Sequence, residues 1–171
     1  MTAYVALLRA VNVGGTGKLP MTELAAMCEK AGFEKVKTYI ASGNVVFTSD
    51  KAESTVKAAL EKAMHAYAGK AVGVMVRTAK EMAAVVKANP FAKAPGNRVV
   101  AIFLDDKPPA NAADEAKHLD GEEIALGKRE IYVRYTDHGM GQSKLVIPAG
   151  KTGTGRNMNT VAKLAEMAAA L

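Results

Sequence analysis

The order of the apolar segments in the first 90 residues constrains the fold more than any other feature of the chain. Strands are predicted at 4–11, 36–40, 45–48 and 72–77. Apolar residues at helical spacing precede Gly32 and Gly69, and each glycine is expected to end a helix. The resulting order is β-α-β-β-α-β, which is that of the ferredoxin-like unit.

Local signals mark the ends of several of these elements. Asp50 is expected to cap the second helix, because a carboxylate can accept a hydrogen bond from a free N–H group. Thr78, followed three residues later by Glu81, has the form of a capping box that opens a short helix over 79–87. The residues 42–44 between two strands predict a tight hairpin connection.

The second half of the chain repeats much of this order beyond a linker at 89–97 that contains proline and glycine. We predict a strand over 98–104, a helix over 111–119, a hairpin of 122–126 with 130–135, a short strand near 144–147 and a final helix over 161–171. The chain is therefore predicted to be a single α+β domain of 171 residues. Two ferredoxin-like halves, 1–90 and 96–171, would pack together in one compact unit.

Composition and charge bound the class of protein. Hydrophobic residues make up 49% of the chain, which is enough for a buried core, and no apolar run approaches the roughly 20 residues that span a bilayer. The single cysteine, Cys28, excludes an intramolecular disulfide. We expect a cytoplasmic protein with no membrane partner. The formal net charge of +6 favours anionic partners, although dispersed lysines also serve solubility.

Three polar, glycine-containing segments stand where apolar segments stop or begin, and such positions often carry function. They lie at 9–15, 38–44 and 154–160 and supply two arginines and four asparagines, a set suited to a polar or anionic ligand. The candidate ligand-binding residues are Arg9, Asn12, Gly14, Gly15, Lys18, Ser42, Asn44, Arg156, Asn157, Asn159 and Thr160.

Each segment has a structural alternative. The glycines of the first segment allow an anion-binding nest with Lys18 beside it, or only a turn between strand and helix. Arg9 is expected inside an apolar strand, where it needs a partner or a route to solvent. Asn157 is expected to cap the last helix, while Arg156 either binds a phosphate or carboxylate or pairs with an acid. The residues 42–44 suit a turn as well as a ligand.

No motif identifies a reaction. The histidines show no metal-ligand spacing, so we predict no metal site. His65 and His118 are expected on helix surfaces, and His138, in a loop, is the only candidate base. Cys28 is expected to face the core and to be inert. The glycine segments match neither a Walker P-loop nor a dinucleotide fingerprint, so no cofactor is identified.

The polar segments also carry a resemblance to a known family. LRAVNVGG at 8–15, TYIASGNVVF at 38–47 and GRNMNTV at 155–161 resemble, in this order, segments of a widespread bacterial family known as domain of unknown function 1697 (DUF1697). The resemblance implies an α+β fold of two ferredoxin-like halves and implies no activity, substrate or catalytic residue. Met158 departs from the family pattern, which often has Trp at this position.

We therefore predict a protein that binds a small anionic or phosphorylated metabolite through these segments. Two alternatives stay open: an enzyme, a transferase or hydrolase, that uses the same pocket, and a module that binds nucleic acid or protein. RNA-recognition modules share the element order but stack bases on aromatic residues of their central strands. Here Tyr4 and Phe47 are the aromatic residues available there, so that platform is mostly absent.

Overall fold

Within residues 1–13 and 18–171, the sheets and α-helices are two four-stranded antiparallel sheets and four α-helices. The structure is a computed structural model that describes residues 1–13 and 18–171. The predicted α+β class is confirmed. The chain divides into two compact units, one of residues 1–83 with 163–171 and the other of residues 84–162. The predicted limits of the halves and their packing in one domain stay predictions.

The first sheet lies in the first unit and has the strand order β2-β3-β1-β4. Helix α1 connects β1 to β2 and helix α2 connects β3 to β4, so the observed element order is the predicted one. The elements are β1 (Thr2–Leu8), α1 (Met21–Lys30), β2 (Glu34–Thr38), β3 (Asn44–Ser49), α2 (Glu53–Ala68) and β4 (Val74–Thr78).

A core cluster on one face of this sheet joins its strands to α1 and α2. Phe47 is fully buried at its centre, where its ring stacks on that of Phe33 with centroids 4.4 Å apart. The ring of Tyr4, opposite Phe47 on β1, lies 6.0 Å away. Val5 and Val46 point to the other face and are also fully buried. Burial on both faces explains why these strands are nearly continuous apolar runs.

The capping box predicted at the start of the third helix is confirmed. The backbone N–H of Thr78 donates to Oε1 of Glu81 at 2.9 Å, and the N–H of Glu81 donates to Oγ1 of Thr78 at 3.1 Å. These bonds open α3 (Ala79–Lys87). The predicted cap of α2 is wrong, because Ala52 holds the N-cap position without a side-chain bond and Asp50 lies two residues earlier.

The capping box formed by Thr78 and Glu81 gives a first test. Thr78→Ala is expected to lower the free energy of unfolding by about 1 kcal/mol, because one N–H of the first helical turn loses its acceptor. Asp50→Ala is the matched control and should change it by less than about 0.5 kcal/mol. Urea denaturation measures both variants. An equal effect of the two would contradict the assigned cap.

The second sheet lies in the second unit and has the strand order β6-β7-β5-β8. The hairpin of β6 and β7 is the predicted one, whereas β8 is a strand that the sequence pattern does not predict. Helix α4 follows β8 directly. The elements are β5 (Val99–Phe103), β6 (Glu123–Leu126), β7 (Glu130–Arg134), β8 (Thr154–Asn157) and α4 (Met158–Ala169).

The predicted helix over 111–119 is wrong, because this segment forms isolated turns. The N–H of Lys117 donates to the carbonyl oxygen of Val146 at 2.8 Å, and the N–H of Val146 donates to the carbonyl oxygen of Lys117 at 2.9 Å, in an antiparallel bridge. These two groups of Lys117 therefore cannot continue a helical ladder. His118 then has a φ of +61°, which is outside the helical region. The short strand predicted near 144–147 is reduced to that bridge.

In the described part of the chain, every helix is too short or too polar to cross a membrane.

Candidate functional site

The first two polar segments are in contact at the end of β1. The N–H of Leu8 donates to the carbonyl oxygen of Gly43 at 2.9 Å. Gly43 has a φ of +90°, and a Cβ at this position would lie 2.5 Å from Cγ2 of Val11. The turn between β2 and β3 therefore packs directly against the segment that follows β1.

Asn12 fixes the geometry of this contact. Its Nδ2 donates to the carbonyl oxygens of Leu19 at 2.9 Å and Ala41 at 2.7 Å, and its Oδ1 accepts from the N–H of Leu19 at 2.6 Å. Asn12 and Ala10 both have a φ of +56°, a strained conformation that surrounding bonds must hold. Asn12 thus ties together the two ends of the connection between β1 and α1, and the described residues of this connection, 10–13 and 18–20, are called the braced loop below. Gly14 and Gly15 lie outside the described residues.

Ser42 and Asn44 hold the turn between β2 and β3. Nδ2 of Asn44 donates to the carbonyl oxygen of Tyr39 at 2.9 Å and to Oγ of Ser42 at 2.8 Å. Asn44 is fully buried. These hydrogen bonds give Ser42 and Asn44 a structural role in the turn, and their contact with a ligand stays a prediction.

Arg9 is not inside a strand, so that prediction is wrong. β1 ends at Leu8; the N–H of Arg9 still donates to the carbonyl oxygen of Gly73 at 2.9 Å, in register with the β1–β4 ladder, and the chain leaves the sheet at Ala10, which has a φ of +56°. Arg9 is exposed to solvent, and its stem lies beside Gly73. No buried partner is needed for its charge.

A small cleft of about 250 Å³ lies beside the braced loop, between the β1–α1 connection and the end of α2. Lys18 and Lys70 line it together with Tyr67, whose side chain is 45% exposed. Four apolar residues that are at least nine-tenths buried form its floor, namely Val11, Leu19, Met64 and Val72. Cations on an apolar floor suit an anion with an apolar body.

The third polar segment lies in the second unit, where Arg156 is buried on β8. Its Nη1 donates to Oγ1 of Thr154 at 2.7 Å and to the carbonyl oxygen of Gly155 at 2.9 Å. Burial lowers the pKa of the Arg156 guanidinium to about 10. The convergence of this segment with the other two stays a prediction.

Asn157 caps α4, as predicted. Its Oδ1 accepts from the N–H of Thr160 at 2.9 Å, so one N–H group of the helix start is already bonded. Asn159 is exposed, and its side chain lies over Gly96, where a Cβ would come within 2.1 Å of Oδ1. Met158 is buried, which does not leave it open for stacking on a ligand.

A second, larger cleft of about 610 Å³ lies in the second unit and is lined by polar residues. His138, the predicted candidate base, lines it together with His118, which the sequence pattern placed on a helix. The carboxylates of Asp120, Glu122 and Asp137 line the same cleft. No local pattern in the sequence connects these three carboxylates, so the sequence does not predict that they share a cleft.

Cys28 and His65 are the remaining side chains that could take part in chemistry. Cys28 is buried on α1, and burial raises the pKa of its thiol to about 12, so the reactive thiolate is disfavoured. His65 is an exposed residue of α2, as predicted. Across residues 1–13 and 18–171, no three His, Cys, Asp or Glu side chains are grouped as metal ligands.

The fold is thus that of an α+β protein with two four-stranded antiparallel sheets. The sequence pattern of the family described as "Protein of unknown function (DUF1697)" matches residues 1–132, and the chain belongs to this family. The first two polar segments lie within the matched range and the third lies beyond it.

A solved structure supports the same architecture. The chain is similar to the conserved bacterial protein SP0830 from Streptococcus pneumoniae, with a TM-score of 0.80, 24% sequence identity and 98% of each chain covered. At this identity the likeness shows the fold alone. A comparison with curated proteins found no match.

Proposed function

We propose that the chain binds a small anionic metabolite, bearing a phosphate or carboxylate, in the cleft beside the braced loop. One observation carries this proposal: the side chains of Lys18 and Lys70 line the same cleft as Tyr67 above an apolar floor. The ammonium groups would bind the anion, and the phenol ring would cover an apolar or aromatic part of the ligand.

The position of Lys18 supports a ligand role more strongly than that of Lys70. Lys70 follows the C-terminal end of α2, where a cation is favourable in the field of the helix dipole. Lys18 precedes the first residue of α1 by three positions, where the dipole does not favour a cation. An anion bound between the two lysines would offset the unfavourable interaction of Lys18 with the helix dipole. The net charge of +6 also raises the local concentration of anions.

The size of the cleft narrows the ligand class. Its volume of about 250 Å³ lies just below the range of roughly 300–1,000 Å³ that is usual for drug-sized ligands. A small metabolite would fill it, and a mononucleotide would place only one of its parts there. A cytoplasmic location stays part of this proposal.

The test measures binding of inorganic phosphate, adenosine monophosphate and citrate by calorimetry. A Lys18→Ala/Lys70→Ala double variant should lose at least about tenfold in affinity, since each charged hydrogen bond contributes about 1.5–3 kcal/mol. Lys107→Ala/Lys128→Ala removes the same charge from exposed positions of the second unit and is the matched control. Arg156→Lys reports on the third polar segment.

Three outcomes would overturn the proposed cleft. An equal loss in the Lys107/Lys128 control would mean that only the overall charge matters. A loss in Arg156→Lys without one in the Lys18/Lys70 variant would place the anion at the start of α4. Binding of short RNA with a steep salt dependence, and of none of the three small anions, would favour the nucleic-acid module.

We also infer that the two halves derive from ferredoxin-like units. The antiparallel order β2-β3-β1-β4 with two crossover helices supports this for the first half. The order β6-β7-β5-β8 repeats it position by position. In the described residues of the second half, turns and short 3-10 segments replace both crossover helices.

A further inference from the structure

The cleft beside the braced loop offers few side chains that could hydrogen-bond to the body of a ligand. Among the described residues that line it, three have a polar group on the side chain, namely Lys18, Tyr67 and Lys70. The other six have apolar side chains, namely Ala10, Val11, Leu19, Met64, Ala68 and Val72. A hydroxyl or amide of a sugar or nucleoside held against these residues would lose its hydrogen bonds to water without a replacement. The lining therefore selects a ligand with an apolar body.

The two ammonium groups of the cleft are open to a ligand. Within residues 1–13 and 18–171, Lys18 and Lys70 have neither an ion pair nor a side-chain hydrogen bond. The nearby amide of Asn12 is already used, because its Nδ2 and Oδ1 are bonded to Leu19 and Ala41. The polar contacts that these side chains offer are thus mainly cationic, and they suit one anionic head group.

The apolar floor favours a head group of low charge. A carboxylate carries one negative charge, whereas a phosphate monoester carries up to about two at neutral pH. The carboxylate therefore loses less hydration when it is placed against Val11, Leu19 and Val72. The volume of about 250 Å³ lies below that of sites for drug-sized ligands and suits a body of one ring or a short branched chain.

Ala68 leaves the space that such a body would occupy. It is the last residue of α2 and follows Met64 by four positions, so the two side chains lie on the same face of the helix. Met64 is buried under the cleft, and a thioether makes favourable contacts with an aromatic ring. A larger side chain at position 68 would fill part of the cleft without removing either ammonium group.

We propose that the anion bound in this cleft is an apolar monocarboxylate, with a phenyl ring or a branched alkyl group as its body, and that Ala68 sets the size of the body that fits. This inference rests on the proposed function, because the ligand lies in the same cleft. The ammonium groups of Lys18 and Lys70 bind the carboxylate. The body of the ligand contacts Met64 and the ring of Tyr67.

The experiment measures binding of phenylacetate, acetate, gluconate and adenosine monophosphate to the full chain by calorimetry. Phenylacetate is expected to bind with a dissociation constant below about 1 mM. Its affinity should exceed that for acetate by at least about tenfold, because burying even part of the ring contributes that much. Gluconate has the same charge but a body of hydroxyl groups, and it should bind no more tightly than acetate.

Ala68→Leu tests the place of the ligand body. The affinity for phenylacetate should fall at least about tenfold, because the leucine side chain takes the space of the ring. Ala68 is exposed at the end of a helix and leucine is a good helix former, so the variant should fold, which circular dichroism checks. Ala58→Leu is the matched control, since Ala58 is an exposed residue of α2 that does not line the cleft. Its affinity should be unchanged.

The outcomes separate this inference from the proposed function. If phosphate, citrate or adenosine monophosphate binds through Lys18 and Lys70 but phenylacetate binds no more tightly than acetate, the anion cleft stands and the apolar monocarboxylate is refuted. The same holds if adenosine monophosphate binds more tightly than phenylacetate. Equal affinities of the Ala68→Leu and Ala58→Leu variants for phenylacetate would refute the place assigned to its ring. If none of these anions binds, both proposals fail.

Discussion

Replacing Phe47 by alanine is expected to lower the free energy of unfolding by about 3–5 kcal/mol, the largest effect we predict for one substitution. The ring is fully buried and stacked on Phe33, and it lies next to Tyr4. Removing the ring loses the free energy gained by transferring a large apolar side chain out of water. It also leaves a cavity between the first sheet and its helices. Urea denaturation with circular dichroism measures the loss.

An exposed apolar residue provides the control for this substitution. Leu126 of β6 is 37% exposed, and Leu126→Ala should cost less than about 1 kcal/mol because little buried area is lost. A loss below about 1 kcal/mol in Phe47→Ala would show that the aromatic stack does not form the centre of the core. Similar losses in the two variants would lead to the same conclusion.

Replacing Gly43 by alanine is expected to cost about 2–5 kcal/mol. A residue with a Cβ pays about 1–2 kcal/mol for the positive φ, and the new methyl group adds about 1–3 kcal/mol by overpacking against Val11 and Leu8. Because Val11 lines the proposed anion cleft, the substitution should also weaken anion binding. Denaturation and calorimetry on the same variant measure the two effects.

Gly32 separates the two contributions to this cost. Its φ of +89° is nearly the same, but a Cβ there would meet nothing within 4 Å. Gly32→Ala should therefore pay only the conformational part, about 1–2 kcal/mol. If Gly43→Ala proves no more destabilising than Gly32→Ala, the close packing of the first two polar segments is refuted.

Interactions within about four residues account for most of what could be predicted at the element ends. The reciprocal bonds of Thr78 and Glu81 and the cap formed by Asn157 each join groups three residues apart. Gly69, with a φ of +73°, ends α2 in the same local way. Such bonds depend little on the rest of the fold, so the spacing of residue types is enough to predict them.

Two of the errors, the helix over 111–119 and the length of β1, fall where hydrogen bonds to distant residues decide the backbone conformation. The segment 111–119 has helical composition, yet the bridge from Lys117 to Val146 removes the donor and acceptor that a helix would need. The strand β1 ends early because the chain turns away from the sheet at Ala10, which has a φ of +56°, and the hydrogen bonds of Asn12 to Leu19 and Ala41 hold the segment in this conformation. Both outcomes depend on a chain segment that no local pattern connects with the affected residue.

The sequence by itself determined the element order of the first half, the hairpin of the second half, the caps of α3 and α4 and the family, because these depend on short-range periodicity and on residue types at fixed spacing. Only the tertiary structure decided which distant residues share a cleft. Lys18 and Lys70 are 52 positions apart, and His118 and His138 are 20 positions apart. Such pairs meet because strands and helices return the chain to one place, and packing energy, not local sequence, selects where that is.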